Sequence, residues 1–340
     1  MTYWHHGQVR SAAVLERARR IADDVLFPAA MAVDGAQRVP ESHLDLLAGE
    51  GFYGLAGPAD CGGLAVDLPA ACDIIEVLAA GCLTTTFVWL QHHGAVRAAA
   101  SAADQSLRER WLGPLCSGAR RAGVALGGTL PGPPLLRARR VSGGYLLDGM
   151  SPWVTGWGMI DVLHAAARDE QDNVVTALLD AAAPTLTAQP LRLIAAAASA
   201  TVQLHFGGHF VSDDAVTAVV PHREWLARDA MGLRVNGSLA IGLAARCCAL
   251  IGPSPLDGEL AARRAALDTA PPELAPYARA AASALAMRAA TALVAATGSR
   301  AILADEHPQR LAREALFLLV FASRPAIKQS LTGFLTAGRP

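Results

Sequence analysis

Gly149-Met150-Ser151-Pro152-Trp153-Val154-Thr155-Gly156-Trp157 is the stretch on which the reading of this chain turns. Just before it, Val141-Ser-Gly-Gly-Tyr-Leu-Leu-Asp148 joins two short apolar runs through a Gly-Gly turn signal, which predicts a β-hairpin. Side chains alternate at period two along a strand, so Trp153 and Thr155 are expected on one face. That face would offer a flat indole and a hydroxyl, which suits a planar heteroaromatic ligand with a hydrogen-bonding edge.

Around this stretch the chain divides by pattern. Residues 11–118 read as helices: Val14, Ala18, Ile21, Ala22 and Val25 share one helical face, and further helices are expected over about 68–81, 84–100 and 104–117, the last capped by Asp104. Between 123 and 221 short runs of Val, Thr, Leu and Gly alternate with turn residues, which predicts a small sandwich or barrel. From about 222 the apolar stretches Leu239–Leu250, Glu259–Thr269, Pro272–Thr297 and Pro308–Thr332 predict a bundle of four helices. The expected class is α+β. Its domains would be an N-terminal all-α domain over 1–121, a middle β-barrel or sandwich over 122–221 and a C-terminal four-helix bundle over 222–340.

Composition narrows the function. With 52% hydrophobic residues, 17% charged residues and a net charge of −1, the chain is expected to build a packed core, and it has no basic excess suited to nucleic acid. No apolar run of membrane-spanning length is free of charges and breakers, and the first ten residues lack the order of a signal peptide. The six cysteines form no C-x-x-C pair, which fits a reducing cytoplasm; Cys247 and Cys248 read as small buried hydrophobes.

Three segments now converge. Gly51-Phe-Tyr-Gly-Leu-Ala-Gly-Pro-Ala-Asp-Cys-Gly-Gly-Leu64, Gly149 to Gly156, and Pro308-Gln-Arg-Leu-Ala-Arg-Glu-Ala315 resemble, in order and at suitable separations, three motifs of the acyl-CoA dehydrogenase family. The resemblance covers nearly the whole chain. It implies FAD held between the β domain and the bundle, an acyl-CoA substrate, an oligomer, and oxidation at a CH–CH group in lipid metabolism. By the same resemblance Trp153 would lie against the isoalloxazine, Thr155 would donate near its N5, and Val154 would give backbone contacts. Ala125-Leu-Gly-Gly-Thr129 stands where the family has Ala-Leu-Thr-Glu-Pro, so backbone groups of Leu126, Gly127 and Gly128 would meet the pyrimidine edge.

The departures are equally specific. The family's Ala-Gly-Ser-Asp reads Pro131-Gly-Pro-Pro134, its strand lysine is Ser151, and its Arg-x-Gln-Phe-Gly loop is replaced by Leu250-Ile-Gly-Pro-Ser-Pro-Leu256. Lost phosphate contacts imply weakened or absent FAD, because charge-assisted hydrogen bonds contribute roughly 1.5–3 kcal/mol each. Arg263, Arg264 and Arg300 are the candidate replacements, against an ordinary surface role. The catalytic Glu of the resemblance falls on Ala322, and Gly232-Leu-Arg-Val-Asn-Gly-Ser-Leu239 carries no carboxylate; Asp229 is the nearest spare acid. Glu314 matches a structural acid of the family. His92 and His93 could line a substrate cleft or pack inside.

Three functions follow as alternatives. One is an acyl-CoA dehydrogenase-like flavoprotein with weak or partner-dependent activity on a CoA thioester. Another is a flavin-dependent oxygenase on the same fold. The last is a catalytically silent subunit or binding protein of a hetero-oligomer.

Overall fold

The computed structural model describes residues 8–336; the side chains of residues 8–10 and of Asp229 fall outside that description. Helices come first: α1 (Gln8–Arg20), α2 (Phe27–Asp34), α3 (Glu41–Gly49), α4 (Leu68–Gly81), α5 (Leu83–Ser101) and α6 (Gln105–Ser117). A π-helical turn, Ile21–Leu26, joins α1 to α2. Capping follows the sequence: Asp67 accepts from the Ala70 N–H at 2.9 Å, Asp104 accepts from the Ser106 N–H at 2.8 Å, and left-handed Gly118 closes α6.

The strands follow: β1 (Ala122–Ala125), β2 (Leu136–Val141), β3 (Gly144–Val154), β4 (Val162–Arg168), β5 (Asn173–Asp180), β6 (Leu186–Pro190), β7 (Val202–Ser212) and β8 (Val216–Pro221). They form one sheet in the order β6-β7-β3-β2-β4-β5-β8, with β1 parallel to β4. The expected hairpin is β2–β3, turned through Gly143 at φ +76°. Leu147, Val154, Leu163, Ala165, Leu204 and Phe206 share one buried cluster, so strands from both ends of the order close over a single core.

The remaining helices are α7 (His222–Ala227), α8 (Asp229–Ile251), α9 (Pro255–Thr269), α10 (Ala275–Thr297), α11 (His307–Val320) and α12 (Pro325–Thr336). The expected last helix over 308–332 is therefore two. The chain leaves α11 at Phe321, Ala322 takes φ +50°, and Pro325 starts α12. The segments Ala230–Ile251 and Ala275–Ile302 are long and apolar enough to cross a membrane by length and composition, but 67% and 56% of their most apolar windows are buried inside the protein.

The α4 helix is the central rod of the helical layers. A Cβ at Gly81 would stand 2.8 Å from the Ala22 backbone, and one at Gly242 on α8 would stand 2.2 Å from the Glu76 carbonyl oxygen. Both crossings therefore depend on a missing side chain. Beside the second, buried Glu76 accepts from Arg234 at 3.1 Å and from Arg264 at 2.6 Å, tying α4 to α8 and α9. Within α11, Arg310 meets Glu314 at 2.8 Å with both fully buried, which is the structural role expected for Glu314.

Candidate functional site

The strand carrying Trp153 does not alternate as expected. Ser151 pairs with Leu204 and Val154 with Val202, so three steps on β3 oppose two on β7. The extra residue makes a β-bulge, and Pro152 within it has no N–H to give the ladder. Trp153 takes φ +61°, where a bulky L-residue is strained, and its indole is 62% exposed. Val154 is buried in the sheet core. Thr155 lies past the end of β3 and is 2% exposed. The shared face of Trp153 and Thr155 is thus corrected: the bulge turns one outward and leaves the other inside.

A second strained loop supports Thr155. Its hydroxyl lies 3.2 Å from the Thr201 hydroxyl, which lies 2.8 Å from that of Ser199. The Gly156 N–H donates to the Ser199 carbonyl at 2.9 Å. Ala196 and Ala200, flanking this turn, both have positive φ. The same loop accepts from the Val39 N–H through Ala198, so the linker before α3 is tied to the site.

The first strand's neighbourhood is tighter than its glycines suggest. Leu126 is half-buried, while Gly127 and Gly128 are buried. A Cβ at Gly127 would lie 2.3 Å from the Met150 carbonyl oxygen, and one at Gly128 would lie 2.5 Å from the Ala167 carbonyl carbon. The Gly128 N–H already donates to Ala166 at 2.9 Å, so this predicted ring contact is engaged inside the sheet. The following Leu130–Gly132 segment turns its carbonyls onto buried Arg168, at 3.1 Å from Leu130 and 2.5 Å from Gly132. Arg168 is in turn paired with Asp172 at 3.2 Å.

The three arginines considered as phosphate ligands all have carboxylate partners. Arg264 pairs with Glu76, Arg263 with Glu259 at 3.4 Å, and Arg300 with Glu306 at 2.5 Å. Ala322, exposed between α11 and α12, can take no proton. The side chain of Asp229 lies outside the described residues.

The two adjacent histidines separate in role. His92 accepts from the Ala122 N–H at Nδ1, 3.0 Å, and its Nε2 reaches the Leu115 carbonyl at 3.0 Å, so Nε2 carries the donated proton. It clamps α5 to the end of α6 and the start of β1. Burial pushes its pKa down to about 3. His93 is buried without a hydrogen bond to either ring nitrogen.

Pattern reading missed an aromatic group beside Ala322. Phe317 and Phe321 stack at 5.4 Å, and Phe87 of α5 meets each at 5.0 Å. Four-residue spacing on α11 foreshadows the first pair, but nothing in the sequence places Phe87 against it. A shallow open cleft of about 630 Å³ lies elsewhere, between α1 and Gly63-Leu64.

The N-terminal helical part of the chain, residues 10–119, matches the family described as acyl-CoA dehydrogenase, N-terminal domain. Among curated relatives the chain is 26% identical over 208 residues to benzylmalonyl-CoA dehydrogenase of Aromatoleum aromaticum, an alignment covering 59% of this chain and 55% of that protein. The chain spans about half the length of the curated relatives it matches. In structure it is similar to butyryl-CoA dehydrogenase from Megasphaera elsdenii, with TM-score 0.83, 17% identity, and coverage of 96% of this chain and 98% of that one. A glutaryl-CoA dehydrogenase from Mycobacterium smegmatis in complex with FADH2 gives TM-score 0.81, 16% identity, and coverage of 96% and 94%. These likenesses bear out the fold expected from the sequence.

Proposed function

We propose that the chain is an acyl-CoA dehydrogenase-like flavoprotein acting on a CoA thioester or related acyl substrate, with activity that is weak or depends on a partner chain. Trp153 carries this reading. A bulky residue is held at positive φ on a bulge with its indole in the open, and strain of about 1–3 kcal/mol persists only where the surroundings impose it. The names of the relatives, a benzylmalonyl-CoA and a glutaryl-CoA dehydrogenase, support a thioester substrate.

The residues fit the ring end of FAD and not its diphosphate end. Trp153 offers a flat apolar face, and, two residues on, the buried Thr155 hydroxyl is linked through Thr201 to Ser199. The prolines from 131 to 134 leave few backbone donors, and Arg263, Arg264 and Arg300 are spent on carboxylates. When bound, a flavin supplies a hydride acceptor. This chain's part is to present the ring face and shield one side. At the position where the family's acid would take the α proton there is Ala322, and lack of a positioned base forfeits typically about 10²–10⁴-fold in rate.

The partner-dependent form of the reading rests on that same vacancy of chemistry: a related chain could bring both a phosphate-binding loop and a base. The visible spectrum of the purified chain, alone and mixed with a related chain, tests it. Flavin absorption that bleaches on adding an acyl-CoA only in the mixture is the expected result. A chain that neither alone nor in such a mixture retains flavin sinks the redox reading and leaves a silent subunit. Turnover of the lone chain at rates ordinary for the family sinks the partner requirement.

A further inference from the structure

A polar group along α5 remains unused by this site. Trp89, His93 and Arg97 follow at four-residue spacing and so share one helix face. Gly94 lets the sheet approach: a Cβ there would lie 3.1 Å from Val124 Cγ1 and 3.4 Å from His164 Nδ1. Val124 and His164 are direct partners on β1 and β4. His164 therefore packs against α5 at Gly94, next in sequence to His93, at the seam between the helical layer and the sheet.

None of these side-chain nitrogens is satisfied among the described residues. His93 and His164 are 4% and 7% exposed, and all four ring nitrogens lack a hydrogen bond, as does Trp89 Nε1. Leaving a buried polar group unpaired costs about 1–3 kcal/mol, so such groups almost always have a partner of some kind. The Arg97 carbonyl accepts from the Ser101 hydroxyl at 2.8 Å, but the guanidinium makes no hydrogen bond or ion pair among the described residues. Burial lowers its pKa, yet the residue is only half-buried and keeps accessible surface. Its charge is felt by both imidazoles. Among the described residues no three metal-ligating side chains come together, so the group is not a metal centre of that kind. What it offers is one fixed positive fork and two imidazole N–H donors, with no acid to answer them.

We propose that Arg97, His93 and His164 form a carboxylate-binding site. The guanidinium would take the carboxylate in two parallel hydrogen bonds, and the imidazoles would close over it. The carboxylate could belong to a free small acid or to the far end of an acyl substrate. The second source rests on the function proposed above. It is geometrically open because α5 also passes the Trp153 region: a Cβ at Gly156 would lie 3.6 Å from Val88 Cγ1. Nine helical steps lead from Val88 to Arg97, a rise of about 14 Å.

Glutarate titrated into the full chain, followed by calorimetry and by the imidazole proton resonances, tests the site without needing flavin. Saturable binding that shifts the His93 and His164 resonances, falls at least tenfold in Arg97→Gln and is only partly restored in Arg97→Lys is the expected result. Circular dichroism melts of each variant establish that it folds. Absence of saturable shifts, or equal affinity in Arg97→Gln, overturns the proposal. An acyl-CoA ending in a carboxylate is then compared with its methyl-ended analogue. Preference of tenfold or more that vanishes in Arg97→Gln supports the site with the substrate as source; glutarate binding without such preference supports it with a free acid. Loss of flavin binding in Trp153→Ala leaves both measurements readable.

Discussion

Trp153 shows how a single backbone angle can separate stability from use. Glycine adopts φ +61° without strain, so Trp153→Gly is expected to raise the chemical-denaturation stability by about 1 kcal/mol while weakening any flavin binding at least tenfold. Unchanged flavin affinity would remove the bulge from the site. Ala322 invites the opposite experiment. Ala322→Glu should accelerate exchange of the α proton of a bound acyl-CoA by about 10²–10⁴-fold, at a folding cost of about 1 kcal/mol for a longer side chain at φ +50°. Exchange at the wild-type rate would place the reacting carbon elsewhere. The sequence singled out Trp153 through the motif around it, since aromatics and threonines are ordinary strand residues by themselves. It hid the geometry: period two assumes an unbroken ladder, and Pro152 breaks it.

At the scale of elements, His92 does the work of a staple. His92→Ala would leave the Ala122 N–H and the Leu115 carbonyl unpaired inside the protein, so a loss of about 2–4 kcal/mol in a urea melt is expected. The three buried histidines on α5 and β4 also set an acid limit. Burial lowers His92 to about 3, His164 to about 4 and His93 well below its ordinary 6.5. The unfolded chain protonates them near that ordinary value while the folded chain does not. Stability is therefore complete above pH 6.5 and falls as pH drops toward the folded values, by about 1.4 kcal/mol per pH unit for each histidine. A denaturation midpoint unchanged between pH 7 and pH 5 would contradict this. Helices over 68–81 and 104–117 were legible to within a residue or two because cap and apolar period agree there. The π-helical turn and the break after α11 were less so: one adds a residue per turn without a composition change, and the other hides in an apolar run.

For the molecule as a whole, the helical layers pack through many alanines and are pinned by ion pairs such as Glu76 with Arg234 and Arg264. Arg279 stands out: it lies inside the bundle, 1% exposed, with Ser283 as its hydrogen-bond partner, no partner at Nη2, and a pKa pushed down to about 10 by burial. An uncompensated buried charge opposes folding, so Arg279→Met is expected to raise the urea midpoint, by a gain in the range of about 1–4 kcal/mol. A lowered midpoint would reveal a counter-charge for this arginine. Domain order was legible from pattern alone, since helical and alternating stretches are long and well separated. The polar seam was not: Trp89, His93 and Arg97 declare themselves by spacing, but His164 reaches them only through the pairing of β4 with β1.

The glycine crossings on either side of α4 have a consequence for how tolerance to mutation should be interpreted. Gly81 and Gly242 touch nothing chemical, yet a single methyl at either would wedge two layers apart and tilt everything mounted on them. A saturation screen of this chain should rank both among its least replaceable positions. Intolerance here would report the spacing of rods, and a survey seeking reactive residues by that criterion alone would be drawn to the wrong part of the molecule.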